Sequence, residues 1–199
     1  MILYRWGLVE YGVAYAAMKR VHAQAVQDGE NHLILCSHPS VFTVGSDDKG
    51  QWSVPTVRTD RGGSITCHSE GQAVAYFCFQ AFEPPLFYRR VRGAYEDLFA
   101  MLLPKVYYDK ERPGFYLENR KVASLGFRYR LGVSLHGVAL NVDVDLAFHA
   151  QVNPCNLVGV VPTSLVEEGV GVSSDEVNEK IIEVVRQRFH ENVEESLLR

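Results

Sequence analysis

No stretch of this sequence reaches the ~18–20 uninterrupted apolar residues that a membrane-crossing helix needs. Nor does the segment from Met1 to Gly7 show the charged-then-apolar layout of a secretory signal, so a cytoplasmic protein is expected. Cysteine is scarce. Cys36, Cys67, Cys78 and Cys155 are too few and too scattered for a disulfide framework, and none forms a Cys-x-x-Cys pair, which leaves reduced thiols. An excess of positive charge is missing too: 20 Lys and Arg stand against 24 Asp and Glu, a net charge of −4, which excludes a general nucleic-acid binder with its basic face. Repeats, low-complexity tracts and linker-like stretches are absent, and 199 residues suit a single domain spanning 1–199. With 47% hydrophobic and 22% charged residues the chain has enough apolar surface to bury a sizeable core.

From Tyr11 to Gln27, apolar residues recur at Ala14, Ala17, Met18, Val21 and Ala25, the spacing of one helix face, and Gly29 supplies a stop. Short apolar runs at His32–Cys36 and Val41–Gly45 predict buried strands. The aromatic and β-branched stretch Gly71–Phe79 suits a central strand, which Pro84-Pro85 should break. Leu86, Val91, Tyr95, Leu98, Phe99 and Leu102 predict a second helix, ended by Pro104. An antiparallel meander is expected from Val106–Tyr108, Gly114–Leu117, Val122–Arg130 and Ser134–Val142. Ser173 and Glu176 have capping-box spacing, so a last helix should start near Asp175. The expected fold is α+β: a mixed, largely antiparallel sheet flanked by helices lying on one side.

Four segments have residue types suited to chemistry. Arg61, Gly62 and Gly63 open a run ending at His68; paired glycines let backbone N–H groups approach an anion, although a tight hairpin with a surface Arg61 accounts for the pattern equally. Lys121 heads a strand of small apolar residues. It is either a solvated lysine or, if turned into a pocket, a group that exchanges protons near neutrality. Gly137 interrupts the apolar strand His136–Asn141, where a bulge or a ligand passing close to the backbone would each require it. Cys155 follows Asn153-Pro154 and so sits in a turn. Taken alone, a single cysteine is more often inert. Zinc is disfavoured, because Cys36-x-His38 and Cys67-His68 are the only tight pairs and no usual ligand spacing occurs; no metal and no cofactor are expected.

Read in order, Arg-Gly-Gly-x-x-Thr-x-His-x-x-Gly-Gln (Arg61 to Gln72), Lys-x-Ala-Ser-Leu-Gly (Lys121 to Gly126), His-Gly-x-Ala-Leu-Asn (His136 to Asn141) and Asn-Pro-Cys (Asn153 to Cys155) resemble the octanoyltransferase family of the lipoate pathway. An upstream His-Pro segment, His38 to Gly45, extends the resemblance to roughly Leu33–Gly159. It implies the fold of biotin and lipoate protein ligases. It also implies that Cys155 carries the acyl thioester, that Lys121 modulates it, and that substrate meets Arg61, Gly62, Gly63, Ser64, Ile65, Thr66, Cys67 and His68, then Ser124, Leu125 and Gly126, then Gly137, Val138 and Ala139. The family's usual Gly-Pro before Gly-Gln is Ser69-Glu70 here, and its usual Gly after Pro-Cys is Asn156.

The chemistry so implied moves octanoyl from a carrier-protein thioester to Cys155, and then to a lysine amine as a stable amide, without ATP. Lys121 would assist ionisation of Cys155, return a proton to the departing thiol and deprotonate the amine; glycine-loop amides, with His68 or the loop at Cys155, would stabilise the oxyanion. Octanoyl-acyl carrier protein would be the donor. Lipoyl domains of 2-oxoacid dehydrogenase E2 subunits and the glycine cleavage H protein would be acceptors, and the enzyme itself a monomer. A lipoate–protein ligase or lipoyl amidotransferase of the same fold, a cysteine thioesterase and a non-catalytic carrier-binding module are the rival readings. Arg89, Arg90 and Arg92 form a basic cluster that either receives an acidic carrier or is a solvated helix face.

Overall fold

The computed structural model describes residues 1–152 and 159–196. Among them the chain runs β1 (Ile2–Leu8), α1 (Tyr11–Asp28), β2 (His32–Ser37), β3 (Val41–Val44), β4 (Thr56–Arg58), β5 (Ile65–His68), β6 (Gln72–Cys78) and α2 (Pro84–Leu102). It continues through β7 (Tyr107–Asp109), β8 (Gly114–Leu117), β9 (Arg120–Arg130), β10 (Val133–Asn141), α3 (Leu146–His149), β11 (Val161–Pro162), α4 (Ser174–Phe189) and β12 (Glu194–Glu195). A main sheet has the order β12-β1-β2-β6-β10-β9-β8-β7, with β11 alongside β9. Its centre is antiparallel, whereas β1 pairs in parallel with β2 and β12. A smaller sheet, β4-β3-β5, stands beside it.

Local chemistry explains the boundaries. Gly29 closes α1 at φ 76°, donating its N–H to the Ala25 carbonyl, a conformation that costs glycine nothing. Pro84 and Pro85 do not merely break the sheet as expected; they occupy the first turn of α2, where a missing N–H has no intrahelical partner to lose. Ser173 and Glu176 form the anticipated reciprocal capping box on α4.

The helices cover both faces of the main sheet rather than one. Strands β2 and β6 are buried along almost their whole length, so both faces need a cover. Leu33, Leu35, Ala73, Ala75 and Phe77 point to one side and pack with Val91, Leu98 and Phe99 of α2 and Val177, Ile181 and Val185 of α4. Ile34, Cys36, Val74, Tyr76 and Cys78 point to the other and pack with Met18, Val21 and Ala25 of α1. Cys36, Cys67 and Cys78 are buried free thiols whose burial raises their pKa, as expected of small hydrophobes. Among the described residues no helix is long and apolar enough to cross a membrane.

Candidate functional site

On the α1 side, β6, β9, β10 and the turn before β5 enclose a cavity of about 490 Å³ of empty space including its mouth, within the range of small-molecule sites. Arg61, Gly62, Gly63, Thr66, His68, Ser124, Leu125, Gly126, Gly137, Val138 and Ala139 line it, joined by Tyr11, Val74, Tyr76 and His136. A second, more polar chamber of about 370 Å³ shares Thr66 and Ser124 with the first and adds Cys67, Gln72, Lys121, Asn141, His149 and Val152.

Arg61 is buried, only 7% exposed, rather than the surface residue of a hairpin. Its guanidinium donates to the carbonyls of Thr43 (2.8 Å), Ser64 (2.7 Å) and Gly62 (3.0 Å), so it braces the glycine turn from within. The turn is tied from outside as well. Gly62 N–H donates to Phe127 O (3.1 Å) and Gly63 N–H to the Asp47 carboxylate (2.6 Å), so these two amides are directed at protein acceptors and not at a bound oxyanion. Gly45 is needed beneath them, because a Cβ there would overlap the Gly63 carbonyl.

His68 is held in one protonation state by its neighbours. Gln72 donates through Nε2 to Cys67 O (3.1 Å) and to Asn141 Oδ1 (2.9 Å), which turns its own carbonyl oxygen toward His68 Nδ1 at 3.0 Å. Nδ1 therefore carries the proton and Nε2 is an acceptor. Burial, with His38 and Arg61 nearby, lowers the His68 pKa well below its ordinary value and keeps it neutral. An oxyanion would find a lone pair at Nε2 instead of a donor, against the expectation from sequence. His38 is fixed similarly: Nδ1 donates to Val9 O and the Tyr76 hydroxyl donates to Nε2, both at 2.7 Å, which engages both ring nitrogens although Cys36 Sγ approaches to 3.7 Å.

Lys121 is 3% exposed. It lies on β9 between β8 and β11, opposite Tyr116 and Pro162. Its Nζ donates to Pro113 O at 3.3 Å and stands 5.4 Å from the Tyr116 ring centre, while its stem takes the space a Cβ on Gly114 would fill.

The lipoyl protein ligase A/B catalytic domain family matches residues 10–186. An octanoyltransferase of Pseudomonas putida is 36% identical over 184 residues, covering 88% of this chain and 86% of the relative. One from Psychromonas ingrahamii is 34% identical over 192 residues, covering 92% and 89%. The chain belongs to the octanoyltransferase family. Structures of a lipoate-protein ligase A bound with ATP (TM-score 0.77, 16% identity, 100% and 88% of the two chains) and of a bi-partite lipoate protein ligase from Thermoplasma acidophilum (0.75, 15%, 100% and 86%) have the same fold. A biotin protein ligase from Aquifex aeolicus is more distant (0.52, 14%, 96% and 69%).

Against this family background, eleven of the fourteen substrate-contact positions expected from sequence line the cavity, and three do not. Ser64 bonds the Asp48 carboxylate, Ile65 is buried in the small sheet's own core, and Cys67 faces the second chamber. The reason is strand alternation: 65–68 is a strand, so Thr66 and His68 face the cavity while Ile65 and Cys67 face away. Gly137 is required chiefly by β6, since a Cβ there would overlap the Ala75 carbonyl. Cys155 lies outside the described residues. Tyr11, Val74, Tyr76 and His136 were not singled out; Tyr11 opens an amphipathic helix and has no local signal, whereas His136 stands inside a motif already quoted. The usual Gly-Pro is replaced by Ser69-Glu70, and here Ser69 Oγ lies 2.9 Å from His149 Nε2.

Proposed function

We propose that this protein, acting as a single catalytic domain in the cytoplasm, takes an octanoyl group from octanoyl-acyl carrier protein onto Cys155 and passes it to a lysine of a lipoyl domain. Family membership makes it an acyltransferase. The observation that carries the finer reading is the pairing of two chambers across Thr66 and Ser124: an apolar one floored by Val138, Ala139 and Gly137, and a polar one holding the buried Lys121. Val152, three residues before Cys155 in the sequence, lines the same chamber as Lys121.

In the first half-reaction the Cys155 sulfur attacks the thioester carbonyl, the carbon–sulfur bond to the carrier breaks, and the carrier leaves as a thiol. Both acyl groups are thioesters, so no ATP is consumed. In the second, the acceptor amine attacks and an amide replaces the thioester, which drives the cycle forward. Lys121 holds the proton taken from Cys155, returns it to the departing carrier sulfur, and as a neutral amine deprotonates the incoming lysine. A free cysteine is only a few per cent thiolate at neutral pH, which is why a base beside it matters. Oxyanion donors are sought at amides other than those of Gly62 and Gly63.

Incubation with octanoyl-acyl carrier protein followed by intact-mass measurement tests this. A stable octanoyl adduct on Cys155 that moves only to a lipoyl domain is expected. An adduct lost to water would make the protein a thioesterase, and adduct formation by Cys155→Ser would place the nucleophile elsewhere.

A further inference from the structure

Strand β9 leads out of the cavity. Ser124 and Gly126 line the cavity, and by strand alternation Arg128 and Arg130 stand on the same face of β9, both exposed. From Ser124 to Arg130 the strand covers about 20 Å. Lys19 on α1 adds a third cation at this end: its ammonium lies 3.9 Å from the centre of the Tyr15 ring, which stacks on His136 of β10, and His22, one turn further along α1, contacts the Arg130 carbonyl at 3.2 Å. Glu83 is the acid next to Phe82 in the chain, and Asp60 is already engaged by His136 and Tyr15.

The tip of the hairpin is unusual in two ways. Leu131 and Gly132 join β9 to β10 with φ of 53° and 76°, the signature of a two-residue primed turn that favours Asn or Gly at its first position. A leucine is strained there, and its side chain is 78% exposed. Phe82, also 78% exposed, lays its ring over Gly132 beside it. Two large apolar groups thus project at the end of β9, which carries the exposed Arg128 and Arg130, from a protein whose net charge is −4.

We propose that this hairpin tip, with Phe82 and Leu131 exposed at its end, Arg128 and Arg130 on β9 and Lys19 on α1, is where an acidic acyl carrier protein docks to deliver its acyl chain toward the cavity. The inference rests on the octanoyltransferase reading above. Charge complementarity selects an acidic partner. Reach favours the carrier over the lipoyl domain, because a thioester on a long flexible prosthetic arm can travel in from a docking site set back along β9 and a lysine side chain cannot. The cluster at Arg89, Arg90 and Arg92 is less suited. It belongs to α2, which packs on the opposite face of the sheet; Arg92 pairs with Glu96 at 3.2 Å, and Arg90 lies over the Phe189 ring.

The test measures binding of octanoyl-acyl carrier protein and of a lipoyl domain against salt, together with single-turnover acylation by the carrier and by octanoyl-pantetheine. Arg128→Glu with Arg130→Glu should weaken carrier binding about tenfold or more and flatten its salt dependence, leaving acylation by octanoyl-pantetheine within about twofold of normal. Leu131→Gly should weaken carrier binding while the melting temperature holds or rises, because glycine relieves the turn. Unchanged carrier affinity in both variants, or a loss confined to the lipoyl domain, would overturn the proposal. Should neither thioester acylate the unmodified protein, the octanoyltransferase reading fails, and the binding measurements still decide whether the surface takes a carrier.

Discussion

The two faces of the main sheet are built from opposite materials. Against α2 and α4, Phe77, Phe79, Phe87, Phe115 and Phe127 meet one another or their neighbours mostly edge to face, with centroid separations near 5–6 Å. Towards α1 and the small sheet, the buried groups include His38, His68, His136, Arg61, Tyr11 and Tyr76, all engaged in hydrogen bonds or ring stacking. Aromatic burial stabilises without needing partners. Buried polar groups stabilise little in net terms but cost heavily when a partner is lost, so they fix a geometry. One sheet therefore has an aromatic face on one side and a buried polar, hydrogen-bonded face on the other, and substitutions on the two sides should separate folding from turnover.

The largest effect is expected at Lys121. Lys121→Arg keeps the charge but cannot act as a base, and both half-reactions should slow by roughly 10²–10⁴ while the protein still melts cooperatively. Single-turnover acylation and deacylation, each against pH, measure this. Near-normal rates in both halves would reduce Lys121 to a source of positive charge.

The opposite behaviour is expected at Phe99, fully buried on α2 and 5.0 Å from the Phe115 ring centre. Phe99→Ala should cost about 3–5 kcal/mol of stability by denaturant unfolding. Its kcat per folded molecule should remain normal well below the melting temperature. A lowered kcat there would mean that the two faces are mechanically coupled.

Acid should destabilise the protein through the polar face. Burial lowers the pKa of His38, His68 and His136, and that of His149 to about 4. As pH falls from about 6.5 toward 4, the unfolded chain binds protons at these histidines that the folded chain refuses, so stability is present above this window and is lost within it. His149 alone accounts for up to about 3 kcal/mol. Urea midpoints against pH should fall less steeply for His149→Gln than for the unmodified protein; identical slopes would mean that His149 is not buried neutral.

The helices on both faces were legible in sequence because periodicity reports burial: Met18, Val21 and Ala25 of α1, or Val177, Ile181 and Val185 of α4, announce their helices with no knowledge of partners. The sidedness of the cover was not, since β2 and β6 read as continuous apolar runs and such runs hide which face each helix takes. At the site, motif residues such as Gly62, Thr66 and Ser124 could be named in advance, but only the register of β5 separates Thr66 and His68 from Ile65 and Cys67. Strand β1 and helix α3 left no distinct pattern. Tyr11 and Tyr76 reach the cavity from a helix start and a central strand, 65 residues apart in sequence, and nothing local marks either as a lining residue.

The smallest of these effects is expected where the polar face sets the shape of the cavity. His136 stands within β10 at φ 64°, a left-handed conformation that costs a non-glycine residue energy, and it is 2% exposed. That turn sends its ring to the α1 side, where Nε2 donates to Asp60 at 2.8 Å, and the Tyr15 hydroxyl donates to the same oxygen at 2.7 Å. The bond from His136 is the leading cause that holds the Asp60 carboxyl below its usual pKa. Asp60 directly precedes Arg61, Gly62 and Gly63, so the contact clamps one wall of the cavity to the strand that supplies Gly137. Asp60→Ala should raise KM for the octanoyl donor about tenfold, as loss of a charge-assisted hydrogen bond would, and leave deacylation of the preformed acyl-enzyme within about twofold. His136→Asn tests the same clamp without added backbone strain, because asparagine tolerates φ > 0 and its shorter side chain forfeits the reach to Asp60. The double variant should be little worse than either single one, since both remove one interaction. Additive effects on KM would show that the two residues act separately, and a fall in deacylation matching the rise in KM would assign the pair to folding rather than to the shape of the acyl cavity.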